Sequence, residues 1–353
     1  MRTLTLAVTL VLGATAAQAQ APAAATPPAA SPTGLVVGSG NFFSPIVSDL
    51  DKAVAFYRDG LGLDVQGEAA NADANPALRN MFGLPDARLR WMIARPAGMR
   101  TGVEIVEINK ADGKPLERRL QDIGAFTLIV LVRDIDSVFG RLKQLGAPVV
   151  TKGGVPLLVP GGARKSRAVI VKDPDGHFVE LFQPDPLPDA STAPPPNVIE
   201  VRVRLAVADV ERETRLYRDA LGLAVRAPGE FAKQPAVLDM MGLPAGAEYR
   251  APMFTVPTTG LTFELIDFKG VDRRVVRGNI QDPGSTRMQL QVRDVDATIA
   301  ALAKAGGTVI SAGGSTVELP GRGGATTKVA IVREPSNLFL VLLQAPPAAP
   351  RAQ

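Results

Sequence analysis

The chain repeats itself at a fixed distance, and that repeat bounds what it can fold into. The run Asp49-Leu50-Asp51 through Tyr57-Arg58-Asp59 to Leu61-Gly62-Leu63 returns as Asp209-Val210-Glu211 through Tyr217-Arg218-Asp219 to Leu221-Gly222-Leu223. Gln121-Asp122 returns as Gln281-Asp282, and Val132-Arg133-Asp134 as Val292-Arg293-Asp294, each 160 residues on. One spacing held over roughly eighty residues marks a duplicated domain. Residues 36–184 and 196–345 read as two copies, joined by a Pro-rich linker at 185–195.

Each copy is itself doubled. A strand ends in an Asp-rich turn, a helix follows, and glycine closes it: Ser48-Asp49 to Gly62, then Arg133-Asp134 to Gly146. Aspartate suits the helix N-cap, and glycine the left-handed position after the C-cap. Ile135, Val138, Leu142 and Leu145 recur at spacings of three and four, which gives the second helix one buried stripe. Short β runs follow each helix, and Asp173-Pro174-Asp175-Gly176 predicts the tight turn of a hairpin. Strand, helix and three strands thus occur four times. The expectation is an α+β fold: two tandem domains, each of two βαβββ modules curled into a cup-shaped, mostly antiparallel sheet.

Two absences narrow the chemistry. The 353 residues contain no cysteine and one histidine, His177. Disulfides, thiol nucleophiles, Cys-ligated metals and His-rich metal sites are excluded. His177 sits beside the hairpin turn, where it reads as solvent-facing or turn-packing. Tyr57 and Tyr217 read as core residues with satisfied hydroxyls. The 39 lysines and arginines against 35 acids leave +4, spread thinly, so no nucleic-acid footprint is expected. Pro160-Gly161-Gly162-Ala163-Arg164-Lys165-Ser166 lacks the spacing of a phosphate loop and reads as a hairpin loop.

The first residues read as an address, not as fold. Arg2, an apolar run from Leu4 to Ala16, and Ala17-Gln18-Ala19 have the order of a cleaved export signal ending at residue 19. The run is too short to span a bilayer. Residues 20–35 then form an Ala/Pro-rich linker and 346–353 a tail expected to be disordered. A periplasmic or secreted protein is expected.

The segments Ser48-Asp49-Leu50-Asp51, Phe56-Tyr57-Arg58-Asp59, Leu61-Gly62-Leu63 and Asp173-Pro174-Asp175-Gly176-His177-Phe178-Val179-Glu180-Leu181 resemble the vicinal oxygen chelate superfamily. That superfamily includes glyoxalase I, extradiol dioxygenases, fosfomycin resistance enzymes and bleomycin-binding proteins. The resemblance implies a ligand or metal inside each cup. It also implies histidines on the first strands of paired modules, with glutamates on later strands. Counting back seven residues from Asp49 and Asp134 puts the histidine positions at Phe42 and Thr127, and the resemblance puts the glutamate positions at Glu104 and Glu180 in copy one. In copy two they read Arg202, Arg287, Glu264 and Val341. Both imidazoles are gone. Guanidinium has no lone pair to donate, so copy two is expected to hold no metal. Glu104 and Glu180 leave copy one suited only to a hard divalent cation such as Mg²⁺.

Strand alternation then sets the cup faces. Phe42 would bring Ser44 and Ile46, and Glu180 would bring Phe178 and Phe182. Arg202 and Arg204 share a face, as do Arg287, Gln289 and Gln291. The leading reading is an exported small-molecule-binding protein without a histidine-ligated metal. Its ligand-facing residues would be Phe42, Glu104, Thr127 and Glu180 in one cup and Arg202, Glu264, Arg287 and Gln289 in the other. The sharp alternation around Arg202 and Arg287 reads either as a solvated sheet face or as a cationic cup in which the two arginines converge on an anionic ligand. The alternatives are a metal-dependent lyase or dioxygenase using Glu104 and Glu180, and an interaction protein with vestigial cups. Neither a membrane span nor nucleic acid enters any of the three, and the number of chains in the assembly is left open.

Overall fold

The computed structural model describes residues 34–72, 75–110, 112–161, 164–189, 195–227, 229–320 and 325–344. The expected export signal at 1–19, the tail at 346–353 and most of the linker preceding copy one lie outside these, as do residues 162–163 and 321–324.

Four modules occur in order: A (44–109), B (126–183), C (198–269) and D (286–344). Each starts with a strand followed by a helix whose N-terminus is capped by aspartate. Asp49, Asp134, Asp209 and Asp294 accept at 3.0 Å from the backbone N–H of Lys52, Ser137, Arg212 and Ala297. This satisfies one orphaned donor of each first turn. In A and C the helix (Leu50–Ala55, Val210–Arg215) widens into a π turn (Phe56–Gly60, Leu216–Ala220). Gly62 at φ 77° and Gly146 at φ 76° then take the left-handed position expected of them. Arg164–Lys172 and Phe178–Gln183 pair as the expected hairpin.

The α+β class holds, but the partnership of modules crosses the copies. Module A pairs with D in one eleven-stranded sheet, and B with C in one of nine strands. In sheet one the seam is antiparallel, Ser44 opposite Arg287. In sheet two Thr127 lies opposite Arg204. Within every module the first strand runs parallel to the last, or to its counterpart, so each sheet is mixed.

Modules A and C each insert a short helix, Pro76–Met81 and Pro235–Met240, that lies over the cup of its sheet. The helix of A is fastened to D, and that of C to B. Ser311 donates its hydroxyl to the Met81 carbonyl at 2.8 Å, as Thr151 does to Met240 at 2.8 Å. Gly83, at φ 67°, follows the first of these helices, and a Cβ there would lie 2.3 Å from the Ile310 carbonyl oxygen. Only glycine admits both the backbone conformation and that approach.

The helical faces of both sheets merge into one core. Phe43 stacks on Phe126 with centroids 5.5 Å apart, and Phe126 meets Phe263 at 6.5 Å. Each cup has its own smaller apolar cluster, around Met81, Phe82 and Leu89 in sheet one and Leu238, Met240 and Phe178 in sheet two. No helix among the described residues is long and apolar enough to cross a membrane.

Candidate functional site

The cross-pairing redistributes the expected site residues. Glu104 comes from A and Arg287 from D, so they share sheet one. Thr127 and Glu180 come from B and Glu264 from C, so they share sheet two. Glu104 and Glu180 therefore cannot hold one cation together, and Arg202 and Arg287 cannot converge on one anion. Both expectations assumed that modules pair within a copy. Phe42 is also displaced: it lies in the central core, 2 % exposed, not in a cup. Its strand begins only at Ser44. Modules A and C cross their partners two residues nearer the capping aspartate than B and D do. Ser44 and Arg204 therefore hold the positions assigned to Phe42 and Arg202.

Sheet one keeps an open cup. Glu104 Oε2 accepts from Arg287 Nη2 at 2.8 Å, from Gln289 Nε2 at 2.9 Å and from the Ser44 hydroxyl at 3.3 Å. Glu104, Arg287 and Gln289 form the floor of a cavity of about 140 Å³, with Leu78, Met81, Phe82, Trp91, Leu319 and Leu343 among its apolar walls. Arg287 is 2 % exposed and lies 4.6 Å from the Phe82 ring centroid. Burial pulls its pKa below the usual guanidinium value, while the charge and hydrogen bond of Glu104 oppose that shift. Its Nε is buried with no hydrogen-bond partner. Val341, the remaining position of the four, contributes only a methyl-bearing wall.

Sheet two closes its cup with charge. Arg204 donates from Nη1 to Glu180 at 2.6 Å and from Nε to Glu264 at 2.8 Å. All three are buried or nearly so, with Glu180 at 3 % and Glu264 at 8 %. Burial alone would lower the Arg204 pKa, but the two carboxylates hold it above its ordinary value. Thr127, 2 % exposed, lies opposite Arg204 in the register. Arg202 shares that face, but its guanidinium turns to Glu200 at 2.7 Å near the rim.

Neither donor set fits a divalent metal. Cup one offers a single carboxylate already bonded to Arg287, and cup two has a guanidinium lodged between its two carboxylates. Charge repels charge there, and nitrogen without a lone pair cannot ligate. Among the described residues no group of three His, Cys, Asp or Glu is arranged to hold a metal.

His177 is neither solvent-facing nor in a cup. It is 3 % exposed, with Nδ1 2.9 Å from Asp173 Oδ2 and Nε2 3.0 Å from the Ser285 carbonyl oxygen. Tyr57 donates its hydroxyl to the same Asp173 at 3.0 Å, satisfied as expected. Tyr217 is not: its buried hydroxyl has no hydrogen-bond partner. Glu334 stands where Asp173 stands in copy one, and its carboxylate turns instead to the backbone N–H groups of Ser336 and Leu338.

The cover helices and Trp91 were not anticipated from the sequence. A signal existed: Pro76-Ala77 through Met81-Phe82-Gly83-Leu84-Pro85 returns as Pro235-Ala236 through Met240-Met241-Gly242-Leu243-Pro244. Proline at the first helical position and glycine after the last is a helix signature.

Comparison with known proteins agrees with this architecture. A family model described as the Glyoxalase/Bleomycin resistance protein/Dioxygenase superfamily matches residues 41–181 and again 201–342. Lactoylglutathione lyase GLX1 of Arabidopsis thaliana is 31% identical over 118 residues, a match that spans 31% of this chain and 38% of that protein. The crystal structure of glyoxalase I from Zea mays superposes with a TM-score of 0.55 at 19% identity, covering 86% of this chain and 92% of that one. A putative dioxygenase from Bacillus subtilis gives 0.50 at 13% identity, covering 88% and 86%.

Proposed function

Since this chain belongs to the glyoxalase/bleomycin resistance protein/dioxygenase superfamily, we propose that it is an exported small-molecule-binding member, with one working cup, in sheet one. The observation that carries this reading is the cavity over the Glu104–Arg287 pair. Its volume of about 140 Å³ is close to the roughly 150 Å³ that accommodates a benzene ring in an apolar protein cavity. The walls favour an apolar body, and the floor favours a polar end. Arg287 Nε is a donor without an acceptor, and Glu104 Oε1 receives no hydrogen bond among the described residues. A neutral ligand of ring size, bearing an acceptor beside a donor, complements both. Cup two has no comparable use for a ligand, because its own charges already satisfy one another.

A metal-dependent lyase or dioxygenase reaction would need a cation that the donors of neither cup suit.

Binding can be followed directly, because Trp91 is the chain's single tryptophan and lines the cavity. Titration with benzamide is expected to shift Trp91 emission saturably. Toluene, which lacks the acceptor, should bind more weakly. Arg287→Met removes a charge-assisted hydrogen bond and should weaken benzamide by about tenfold or more. Val341→Phe should block the cavity without touching the ion pair. If none of the ring-sized probes moves the emission, or Val341→Phe binds them as wild type does, the cup is not a ligand site.

Export rests on Arg2, the apolar run Leu4–Ala16 and Ala17-Gln18-Ala19. The expected result is a mature chain beginning at Gln20 in an extracytoplasmic fraction, read by intact mass. Retention of Met1 in cytoplasm would refute it.

A further inference from the structure

We propose a second ligand site in this protein, away from both cups, for a small oxyanion held by Arg277, Arg333 and Asn337. A cavity of about 280 Å³ lies between the last hairpin turn of module D, the edge strand Thr308–Val309 and Arg277. Its size is at the small end of ligand pockets. Arg333 lies with its guanidinium carbon 5.0 Å from the Phe339 ring centroid, which fixes the head in place.

The groups facing this space want an acceptor. Asn337 is 6 % exposed, yet its Nδ2 has no hydrogen-bond partner, and the buried Nε of Arg333 has none either. Donors left unpaired at such depth are costly. Arg277 adds a second positive charge beside Arg333. Burial first, and then that charge, pull the Arg333 pKa below the usual guanidinium value.

The duplication supplies an internal control. At the corresponding positions copy one reads Glu117, Lys172 and Gly176. There an acid faces a base: burial lowers the Lys172 pKa, and the charge of Glu117 opposes that shift. Gly176 takes φ 86° at no steric cost. Copy two replaces the acid by arginine and holds asparagine at φ 72°, where a side chain is strained. All three differences move the site toward hydrogen-bond donors and positive charge, and two of them work against the stability of the empty fold.

The acids nearby do not fill the role. Both Glu334 oxygens accept from backbone N–H groups, of Leu338 at 2.7 Å and of Ser336 at 3.0 Å, and burial together with the nearby Glu213 raises its pKa. The charge of Asp282 favours the protonated Arg333, but its oxygens accept from the N–H of Lys114 at 2.9 Å and of Asn279 at 2.6 Å. A carboxylate or a phosphate ester offers the paired oxygens that a guanidinium fork and an amide recognise.

The test is calorimetry on the full mature chain at low ionic strength, with inorganic phosphate and succinate as separate probes. At least one should bind; binding of phosphate alone assigns a phosphate ester, and of succinate alone a carboxylate. Arg333→Gln should weaken binding about tenfold or more. Asn337→Gly restores the copy-one residue and relieves the strain. It should leave the fold at least as stable while weakening the anion. Lys172→Gln, at the matching position of copy one, should leave binding unchanged. The proposal is overturned if neither probe binds up to about 10 mM, or if Arg333→Gln and Asn337→Gly both bind as wild type does.

Discussion

Replacing Arg204 by methionine is expected to destabilise the protein by about 3–5 kcal/mol, the loss typical of breaking one partner out of a buried ion group. The arginine is wedged between Glu180 and Glu264 at 2.6 and 2.8 Å, and both carboxylates are nearly sealed from water. Without it, two like charges remain buried with no cation between them. Their cost comes from desolvation, not from the loss of attraction, and this makes a second variant informative. Glu180→Gln, Arg204→Met and Glu264→Gln combined remove all three charges of the buried triad and should recover most of the stability, since uncharged replacements of buried ion groups are often neutral. Urea unfolding followed by circular dichroism reads both. A loss below about 1 kcal/mol for the single variant, as for a surface pair, would mean that the triad does not close the cup.

That triad also shows where the sequence is legible and where it is not. The capping aspartates, the glycines after the helices and the hairpin turn are local signals, and each appears where its chemistry demands. Strand parity is equally local: Arg204 with Arg202, Ser44 with Ile46 and Glu180 with Phe178 share the faces that alternation assigns. Depth along a strand is not local. It depends on where a strand crosses its partner, and a two-residue difference between module types carried the count from Ser44 to Phe42 and from Arg204 to Arg202. Choice of partner is less local still. All four modules present a similar first strand to the seam, so the hydrophobic pattern is compatible with A on B or with A on D. What distinguishes them is contact at a distance, such as Ser311 bonding to Met81 and Gly83 seated under Ile310. Such contacts carry no periodicity. The same crossing leaves each cup with one arginine ion-paired to its glutamates, in opposite halves of the two sheets, and cup two adds a second glutamate, Glu180, at the position of Val341.

The second large effect is expected at His177, as a dependence of stability on pH. Its two ring nitrogens face Asp173 Oδ2 and the Ser285 carbonyl, both acceptors, so both must carry protons and the buried ring is an imidazolium. Burial alone would lower its pKa; the charge of Asp173 and the hydrogen bonds to Asp173 and Ser285 outweigh that and hold it above the free value of 6.5. A base whose folded pKa is raised stabilises the fold fully below its unfolded pKa and progressively loses that contribution as pH rises through the folded one. His177→Gln keeps a donor but has no proton to release. At pH values below about 6.5 it should be less stable than wild type by roughly 3 kcal/mol, the lower end for breaking a buried pair. The gap should narrow as pH climbs past the raised value. Glu334, which burial pushes up to about 8, titrates over the same range, but it does so in both proteins and cancels from their difference. Urea unfolding of the pair at several pH values between about 5.5 and 9 measures that difference. A gap that stays constant across the range would show that Asp173 does not hold the ring protonated. The fold would then lose its explanation for placing the chain's one histidine where Tyr57 of A, Asp173 of B and Ser285, at the entry to D, meet.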